Sequence, residues 1–321
     1  MKNVKVILIS AVLCTAIFAN QRIAALGGDA GFWSGDRANV GIFPATINDH
    51  AFVELDGVGS NDGVDASILW GDATKWGFNF DQNDENTWFN ISWGNGDMGL
   101  NVGYVNNDTG GTDDPTGFAV AYGQNFDWGE LGVGFNSGGS DAGAWNNDHS
   151  SYWANWRGDM DAWVFDSAKA SFYSSDDGND GTGMALGFDM FTHLDAGGAD
   201  VLFGLGVDYN SWDNGAASGS SMTLPSATIA VEADMTDWAT FRCFVNTDYT
   251  VSSSNDGSGD YSDDGYTGAS TNYGLGLGFN WGGLTADMSI SENVLQDPVS
   301  NMTGYEGDAL TSGGVTLTYS F

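Results

Sequence analysis

The chain combines 321 residues with an excess of glycine, aromatic residues and acid: 48 Gly, 13 Trp, 11 Tyr and 19 Phe stand beside only 4 Pro. Its 43 Asp and Glu against 8 Lys and Arg give a formal net charge of −35, which argues strongly against nucleic acid or any other polyanion as a partner. With only 2 Cys, the sequence offers no disulfide framework and no cysteine-based metal site.

Residues 1–19 have the layout of a secretory signal peptide. Lys2 and Lys5 provide a basic start, an apolar run occupies residues 6–18, and Ala19 is a small residue suited to cleavage. The run is too short to span a bilayer as a helix, and Gly and Asp interrupt every later hydrophobic stretch. We therefore expect export, followed by secretion as a soluble protein or by membrane insertion as strands, which must close into a barrel to satisfy their backbone in lipid.

Residues 20–50 form a predicted plug segment ahead of the first strand. They contain the small-residue run 24–28, the pair Asp36-Arg37 and the tripeptide 43–45. Over about thirty residues this order resembles the start of the long-chain fatty-acid transporter family and its PorV-type relatives, with Phe43 in place of the family's Asn. The resemblance implies a short hatch inside a β-barrel, which in that family has fourteen strands. The plug residues that it implies are Leu26, Gly27, Gly28, Pro44 and Ala45.

From residue 51 onwards, hydrophobic and small polar residues alternate with a period of two, which is typical of strands with two different faces. Tyr273, Leu275 and Leu277, for example, are separated by single glycines. The pattern predicts one domain over residues 51–321 with sixteen strands; fourteen is the second choice, if the first two merge or belong to the plug. The predicted strands lie at 51–56, 66–70, 75–80, 87–93, 98–105, 117–124, 129–136, 150–157, 162–173, 183–191, 200–210, 224–235, 238–250, 271–280, 284–291 and 313–321.

Several features favour an all-β, transmembrane, antiparallel up-and-down barrel over a soluble β-sandwich. The polar face carries small residues in place of Lys, Glu and Arg, and the links tend to alternate between short and long, the long ones including 211–223. The final strand closes with Tyr319 and Phe321, which resembles the signal that the outer-membrane assembly machinery reads. Aromatic residues at strand ends suit the two girdles of a barrel. They are Trp70, Trp76, Trp88, Trp93, Tyr104, Trp128, Trp238 and Trp281.

Alternation also assigns charged residues to the inner face of this barrel. If Ile229 and Val231 face lipid, Glu232 faces the lumen, and a three-residue turn at 236–238 places it opposite Arg242. We therefore predict an inward Glu232–Arg242 ion pair. The predicted lumen-facing charged residues are Lys75, Arg157, Lys169, Asp189, Asp208, Glu232, Asp234, Arg242, Asp248 and Asp287.

Little in the sequence points to catalysis or to a cofactor. His149 and His193 are predicted at opposite ends of the barrel, where they cannot act together, so we expect no enzymatic activity. Aspartate-rich links supply hard oxygen ligands that suit weakly bound Ca²⁺, although their spacing departs from that of an EF-hand loop. The interpretation we favour for these links is a solvated external loop. The candidate Ca²⁺ ligands are Asp176, Asp177, Asp180, Asp256 and Asp260.

Three functions from different classes follow from these observations. The first is a porin-like outer-membrane channel for small solutes, with a preference for cations because its lumen carries more carboxylates than basic groups. The second is a plugged transporter of hydrophobic ligands, as the family resemblance implies. The third is a structural or adhesion barrel that acts through long acidic external loops. The expected partners are outer-membrane lipid and lipopolysaccharide, the assembly machinery, small solutes and, in a homo-oligomer, further copies of the chain.

Overall fold

The computed structural model describes residues 20–60, 64–82, 86–107, 116–138, 149–178, 180–255, 268–290 and 311–321. Sixteen strands follow one another along these ranges. They are β1 Phe52–Val58, β2 Asp65–Trp70, β3 Thr74–Gln82, β4 Asn86–Asn95, β5 Met98–Asn107, β6 Thr116–Phe126, β7 Gly129–Gly138, β8 Ser150–Ala162, β9 Phe165–Asp176, β10 Thr182–Asp195, β11 Ala199–Asp213, β12 Ser218–Thr236, β13 Ala239–Asn255, β14 Gly268–Trp281, β15 Leu284–Ile290 and β16 Thr311–Ser320.

The strands form one closed antiparallel barrel. Each strand pairs with its neighbours along the chain, and β1 pairs with β16 to complete the ring. Closure matters because an open sheet would leave a row of backbone N–H and C=O groups without partners at each edge. The predicted all-β, sixteen-stranded antiparallel barrel is therefore confirmed.

The two ends of the barrel differ in how the strands are connected. β1 begins and β16 ends at the same end, since Phe52 pairs with Ser320. We call this the short-turn end, because every even-numbered strand before β16 leads there into a short turn, and we call the opposite one the loop end. The short turns lie at 71–73, 96–97, 127–128, 163–164, 196–198, 237–238 and 282–283.

Side chains alternate between an apolar outer face and a polar inner face. In β4 and β5, Ile91 and Val102 are 47% and 45% exposed, whereas Asn90 and Asn101 are 1% and 5% exposed. A soluble protein does the reverse, burying its large apolar side chains and exposing its polar ones. Transmembrane barrels have this inverted arrangement, in which lipid covers the apolar outer face.

Two predictions about the wall need correction. The link predicted at 211–223 shrinks to 214–217, because the serine-rich start of β12 still pairs through its backbone with the end of β11 although it shows no hydrophobic alternation. The assignment of Trp88 to an aromatic girdle is wrong. Trp88 shares the inner face of β4 with buried Asn90, and its ring lies beside Gly103 of β5.

Residues 20–50 lie inside the barrel, and we call them the inner segment. They form a short helix, α1, at Gln21–Ala24 and 3₁₀ helices at Ala30–Phe32, Arg37–Gly41 and Pro44–Asp49. None of the described helices is long and apolar enough to cross a membrane. The segment runs from buried Asn20 towards the start of β1, so it occupies the half of the barrel next to the short-turn end.

Candidate functional site

The inner segment is held in shape largely by its own polar side chains. Asn20 accepts a hydrogen bond from the N–H three residues on and so caps α1, and Asp36 caps the following 3₁₀ helix in the same way at 2.7 Å. Asn20 also donates to the carboxylate of Asp36 at 3.0 Å, while Asn39 donates to the carbonyl oxygen of Trp33. These bonds give a defined shape to a segment that contains little regular helix.

The inner segment contacts the barrel wall around its whole circumference, so it spans the cross-section from one side to the other. Against β1 to β7, the contacts join Arg37 to Glu54 of β1, Val40 to Leu69 of β2, residues 44–49 to β3 and β4, Val40 to Asn101 of β5, Ala45 to Gly123 of β6 and Ile42 to Gly132 of β7. Against β8 to β11, they join Gly31 to Arg157 of β8, Asp29 to Lys169 of β9, and Phe32 to both His193 of β10 and Gly204 of β11. Against β12 to β16, they join Arg22 to Glu232 of β12, Gly27 to Asn246 of β13, Ala25 to Gly276 of β14, and Gln21 to Ser289 of β15 and Thr316 of β16.

Glycines on the inner face of the wall let the backbone of the inner segment come close. A Cβ atom at Gly123 would lie 2.6 Å from the backbone nitrogen of Ala45, and one at Gly99 would overlap the carbonyl oxygen of Pro44. Real carbon atoms do not approach so closely, so a larger residue at either position must displace the segment. Two further glycines of this kind are Gly132, beside the carbonyl of Ile42, and Gly276, beside Ala25.

A chain of ion pairs begins in the inner segment and passes into the wall. Arg22 pairs with Asp36 of its own segment and, at 2.6 Å, with Glu232 of β12. Glu232 also accepts from Nε of Arg242 on β13 at 2.6 Å, so the Glu232–Arg242 pair that the alternation predicts is present. The wall pair thus doubles as a docking point for the inner segment.

The same chain returns to the inner segment through β15 and β1. Arg242 donates to Asp287 at 2.7 Å, and the other oxygen of Asp287 lies 3.7 Å from Arg37. Arg37 in turn pairs with Glu54. Buried charges are stable only when an opposite charge lies beside them, so each group here depends on its neighbours.

A second group of ion pairs lies on β8 and β9. Nζ of Lys169 is 2.7 Å from the carboxylate of Asp29 in the inner segment and 2.7 Å from that of Asp189 in β10. Arg157 pairs with Glu130 of β7 and donates to a backbone carbonyl of the inner segment at 2.9 Å. The inner segment is therefore bound electrostatically on two opposite sides of the barrel.

The carboxylates of the inner segment are kept ionised by these cations. Burial alone would raise the pKa of Asp36, but the guanidinium groups of Arg22 and Arg37 outweigh burial and hold that pKa below its usual range. Burial likewise acts to raise the pKa of Asp29, and the ammonium group of Lys169 holds it below its usual range. Both carboxylates therefore keep their cationic partners into acid solution.

Apolar packing and a cavity complete the interface. The inner segment packs against Phe191, Leu202 and Ala230 of the wall. A cavity of about 380 Å³ lies between the inner segment and strands β8 and β9, a volume within the range of small-molecule sites. Its lining is largely apolar on the segment side and mixed on the wall side. The segment contributes Ile23, Gly28, Asp29, Ala30, Gly31, Ala38, Ile42 and Phe43, and the wall contributes Asn155, Trp156, Lys169, Ala170 and Ser171.

The structure brings six of the ten predicted lumen-facing charged residues into these ion pairs, namely Arg157, Lys169, Asp189, Glu232, Arg242 and Asp287. Asp208 and Asp248 lie on the inner face nearer the loop end, where Asp248 accepts from Ser226 at 2.7 Å. Asp234 is exposed near the short-turn end and accepts from Thr240, and Lys75 lies near the same end at the start of β3.

The residues implied by the family resemblance lie in the inner segment as follows. Leu26 is buried in the apolar cluster, and Gly27 and Gly28 both have positive φ, which glycine adopts without strain. The carbonyl oxygen of Gly27 accepts from Asn246 at 3.3 Å. Pro44 and Ala45 lie against the glycines of β5 and β6. At the other terminus of the chain, Tyr319 and Phe321 are exposed at the short-turn end.

The candidate Ca²⁺ ligands do not assemble into a site in the described residues. Asp176 and Asp177 accept backbone N–H groups of their own link at 2.8 Å, and Asp180 lies in the same link. In the described part of the chain, no group of three or more His, Cys, Asp and Glu side chains is placed to hold a metal ion. Asp256 and Asp260 lie outside the described residues.

The charged residues of the inner segment and two wall carboxylates, Glu54 and Glu130, are not among the residues predicted from the sequence. A usable signal was present, because opposite charges that share a narrow lumen are expected to pair. Alternation placed the wall cations on the inner face, but it gave no position for the residues that precede the first strand. The missed residues of the segment are Arg22, Asp29, Asp36 and Arg37.

Comparisons with known proteins show the fold alone. No family model and no curated protein matches the chain. A bacterial polysaccharide outer membrane secretin is similar in structure with a TM-score of 0.53 and 11% identity, over 84% of this chain and 96% of that one. BauA, the ferric preacinetobactin receptor from Acinetobacter baumannii, has a TM-score of 0.40 and 10% identity over 74% of this chain and 53% of that one. None of these similarities establishes the family resemblance of residues 20–50.

Proposed function

We propose that the chain is an outer-membrane channel for small solutes, closed by the inner segment and opened when that segment leaves the wall. The observation that carries the proposal is the position of the segment, which touches every strand of the barrel through side-chain contacts and close backbone approaches. Contacts of this kind can separate locally while the strand ladder stays paired.

The chemistry of the inner wall supports a pathway for polar solutes. Asn79, Asn90, Asn101, Ser92 and Thr318 are among its buried side chains, and glycine is frequent between them. Small neutral polar groups offer hydrogen bonds to water and to a hydrated solute without narrowing the bore. Towards the loop end, the inner face also carries larger buried side chains, among them Trp153 and Tyr173.

The charge of the lumen supports a preference for cations. Five described cations of the lumen form ion pairs, and seven carboxylates are their partners. Lys75, which shares the inner face of β3 with buried Asn79, is a sixth described cation. Asp56, Asp208 and Asp248 add three more carboxylates on the inner face of the described strands, none of them in an ion pair with a described cation. An excess of carboxylates along a pore raises the local concentration of cations over anions.

Reversal potentials in a KCl gradient across a planar bilayer test this preference. We expect the open state to favour K⁺ over Cl⁻, and the variant Asp208→Asn with Asp248→Asn to shift the reversal potential towards zero. Asp97→Asn, in the short turn between β4 and β5, is the matched control and leaves the potential unchanged. An anion-selective pore, or a lumen variant identical to wild type, would overturn the proposed cation preference.

The cavity beside the inner segment favours a second candidate, a plugged transporter of hydrophobic ligands. Ile23, Ala38, Ile42 and Phe43 give it an apolar side. Binding of the nonpolar dye 1-N-phenylnaphthylamine, followed by fluorescence, tests this candidate. Ala38→Trp should fill the cavity and abolish binding, whereas Ala119→Trp, on the inner face of β6, should not. Absence of dye binding to the wild-type protein removes this candidate.

The proposed location carries its own expectations. Residues 1–19 act as the leader, so the mature chain begins at Asn20, and Tyr319 and Phe321 present the terminal strand to the assembly machinery. Lipid and lipopolysaccharide then cover the apolar outer face. Mass spectrometry of the N-terminal peptide from an outer-membrane fraction tests the location, and a full-length chain in the cytosol would contradict it.

A further inference from the structure

His193 of β10 holds the inner segment through two hydrogen bonds whose partners are both acceptors. Its Nε2 lies 2.8 Å from the carbonyl oxygen of Phe32, and its Nδ1 lies 2.9 Å from a carboxylate oxygen of Asp200 on β11. The ring also meets that of Trp33 edge to face, with centroids 4.9 Å apart. One imidazole therefore joins the inner segment to two strands of the wall.

The protonation state of His193 decides whether both bonds can exist. A neutral imidazole has one N–H donor and one lone pair, so it can donate to either Phe32 or Asp200 but not to both. The imidazolium donates from both nitrogens. A carboxylate is a stronger acceptor than a carbonyl oxygen, so the neutral ring keeps its single N–H on Nδ1, facing Asp200. The lone pair of Nε2 then faces the Phe32 carbonyl oxygen, and that contact becomes repulsive.

We infer that His193 is a proton-dependent latch that holds the inner segment against the wall in acid solution and loosens it as the pH rises. The inference rests on the proposed function in that it assigns a regulator to the same gate. The latch acts on one part of the inner segment, the 3₁₀ helix at Ala30–Phe32. Among the described residues of β10, His193 is the one that bonds to the backbone of this helix.

The charged groups around the latch come from each neighbouring element. Glu232 of β12 is in register with Asp200, Asp195 ends β10, and Nζ of Lys169 on β9 lies 4.2 Å from the ring centre of Phe32. From the inner segment, the guanidinium of Arg22 lies over the ring of Trp33. Carboxylates, ammonium groups and guanidinium groups ordinarily change charge outside pH 5.5–8, and histidine is the side chain type whose ordinary charge change lies within it.

A nitroxide label next to the latch tests the inference without relying on conduction. Ser34 is exposed and follows Trp33, so Ser34→Cys can carry the label in a Cys243→Ser background. We expect an immobilised spectrum at pH 5.5 and a mobile fraction that rises about tenfold by pH 8, the effect of losing one charge-assisted hydrogen bond. An unchanged spectrum across this range would overturn the latch.

Asp200→Asn provides the matched control, because an amide can donate to the lone pair of a neutral imidazole. Both bonds can then form at pH 5.5 and at pH 8, so the label should stay immobilised throughout. His193→Ala should give a raised mobile fraction at both values. An Asp200→Asn protein that titrates like its parent would also overturn the inference, since other groups, including His50 of the inner segment, would then carry the pH effect.

The two proposals fail separately in these experiments. If the label titrates as expected while the protein shows no conductance, the latch stands and the channel is wrong. If the protein conducts but the label does not respond to pH, the channel stands and the latch is wrong.

Discussion

Gly99 lies on the inner face of β5, where the carbonyl oxygen of Pro44 occupies the space that a side chain would need. We predict that Gly99→Ala destabilises the docked inner segment by about 1–3 kcal/mol, the usual penalty of overpacking a filled interior. The label at Ser34 should report a larger mobile fraction in this variant.

Gly103 is the matched control on the same face of the same strand. A Cβ there would lie 3.0 Å from the ring of Trp88 and 3.2 Å from the side chain of Asn90, both of which belong to the wall. Gly103→Ala should therefore leave the inner segment in place. Equal effects of the two substitutions would contradict the interpretation that the glycines of β5 to β7 leave the space in which the backbone of the inner segment lies.

Arg37 neutralises two carboxylates that are almost completely buried, Glu54 at 3% and Asp287 at 5% side-chain exposure. We predict that Arg37→Met lowers the free energy of unfolding by about 3 kcal/mol or more, because buried Glu54 is left without a cation, whereas Asp287 keeps Arg242. The denaturant midpoint in detergent micelles measures this change.

Glu54→Gln added to Arg37→Met removes the carboxylate that lost its cation and should restore part of the lost stability. If the single variant unfolds at the wild-type midpoint, or if the double variant is less stable than the single one, the ion-pair chain does not stabilise the closed state.

Hairpins were the elements that sequence could describe best. The short turn after Thr236 sets the register of β12 and β13, so counting back from the turn placed Glu232 opposite Arg242. The further partners of this pair, Arg22 and Asp287, are 210 and 45 residues away along the chain. Local periodicity carries no information on such contacts, which depend on how the closed barrel surrounds the inner segment.

Strand ends and the inner segment were the elements that sequence described worst. β12 begins at Ser218, well before the predicted residue 224, because backbone pairing continues through serines that give no alternation. Trp88 is an aromatic residue near a strand end, which predicts a position in a girdle. It lies two residues from buried Asn90 on β4, however, so its side chain points to the inner face like that of Asn90. The resemblance suggested that residues 20–50 fill a barrel, but it supplied none of their contacts.

The loop end of the β7–β8 hairpin has a pH dependence of its own. Burial lowers the pKa of His149, just before β8, to about 4. Because an unfolded histidine titrates near pH 6.5, unfolding takes up a proton between these values, so the stability contributed by neutral His149 is present above pH 6.5 and is lost as the pH falls towards 4.

We therefore predict that His149→Gln flattens the stability profile between pH 6.5 and 4 relative to wild type. Denaturant midpoints at several pH values in this window, compared between the two proteins, measure the difference. Parallel profiles would show that His149 is not buried in its neutral form.

For the molecule as a whole, the inverted faces and the ring of sixteen strands explain why a chain so rich in glycine and acid can fold. The apolar outer face suits lipid, and the closed ladder leaves no strand edge. The interior then depends on a segment of 31 residues, Asn20 to His50, that the wall holds by charge and by close backbone contact. The central claim is that this segment closes the passage.

Single-channel conductance of wild type, compared with a variant that lacks residues 20–49, tests that claim most directly. Resistance to unfolding in detergent at room temperature, seen as a gel-mobility shift on heating, first establishes that both barrels are folded. We predict rare, small openings for wild type and a stable, cation-preferring conductance several-fold larger for the variant. Equal conductance of the two folded proteins would contradict the claim.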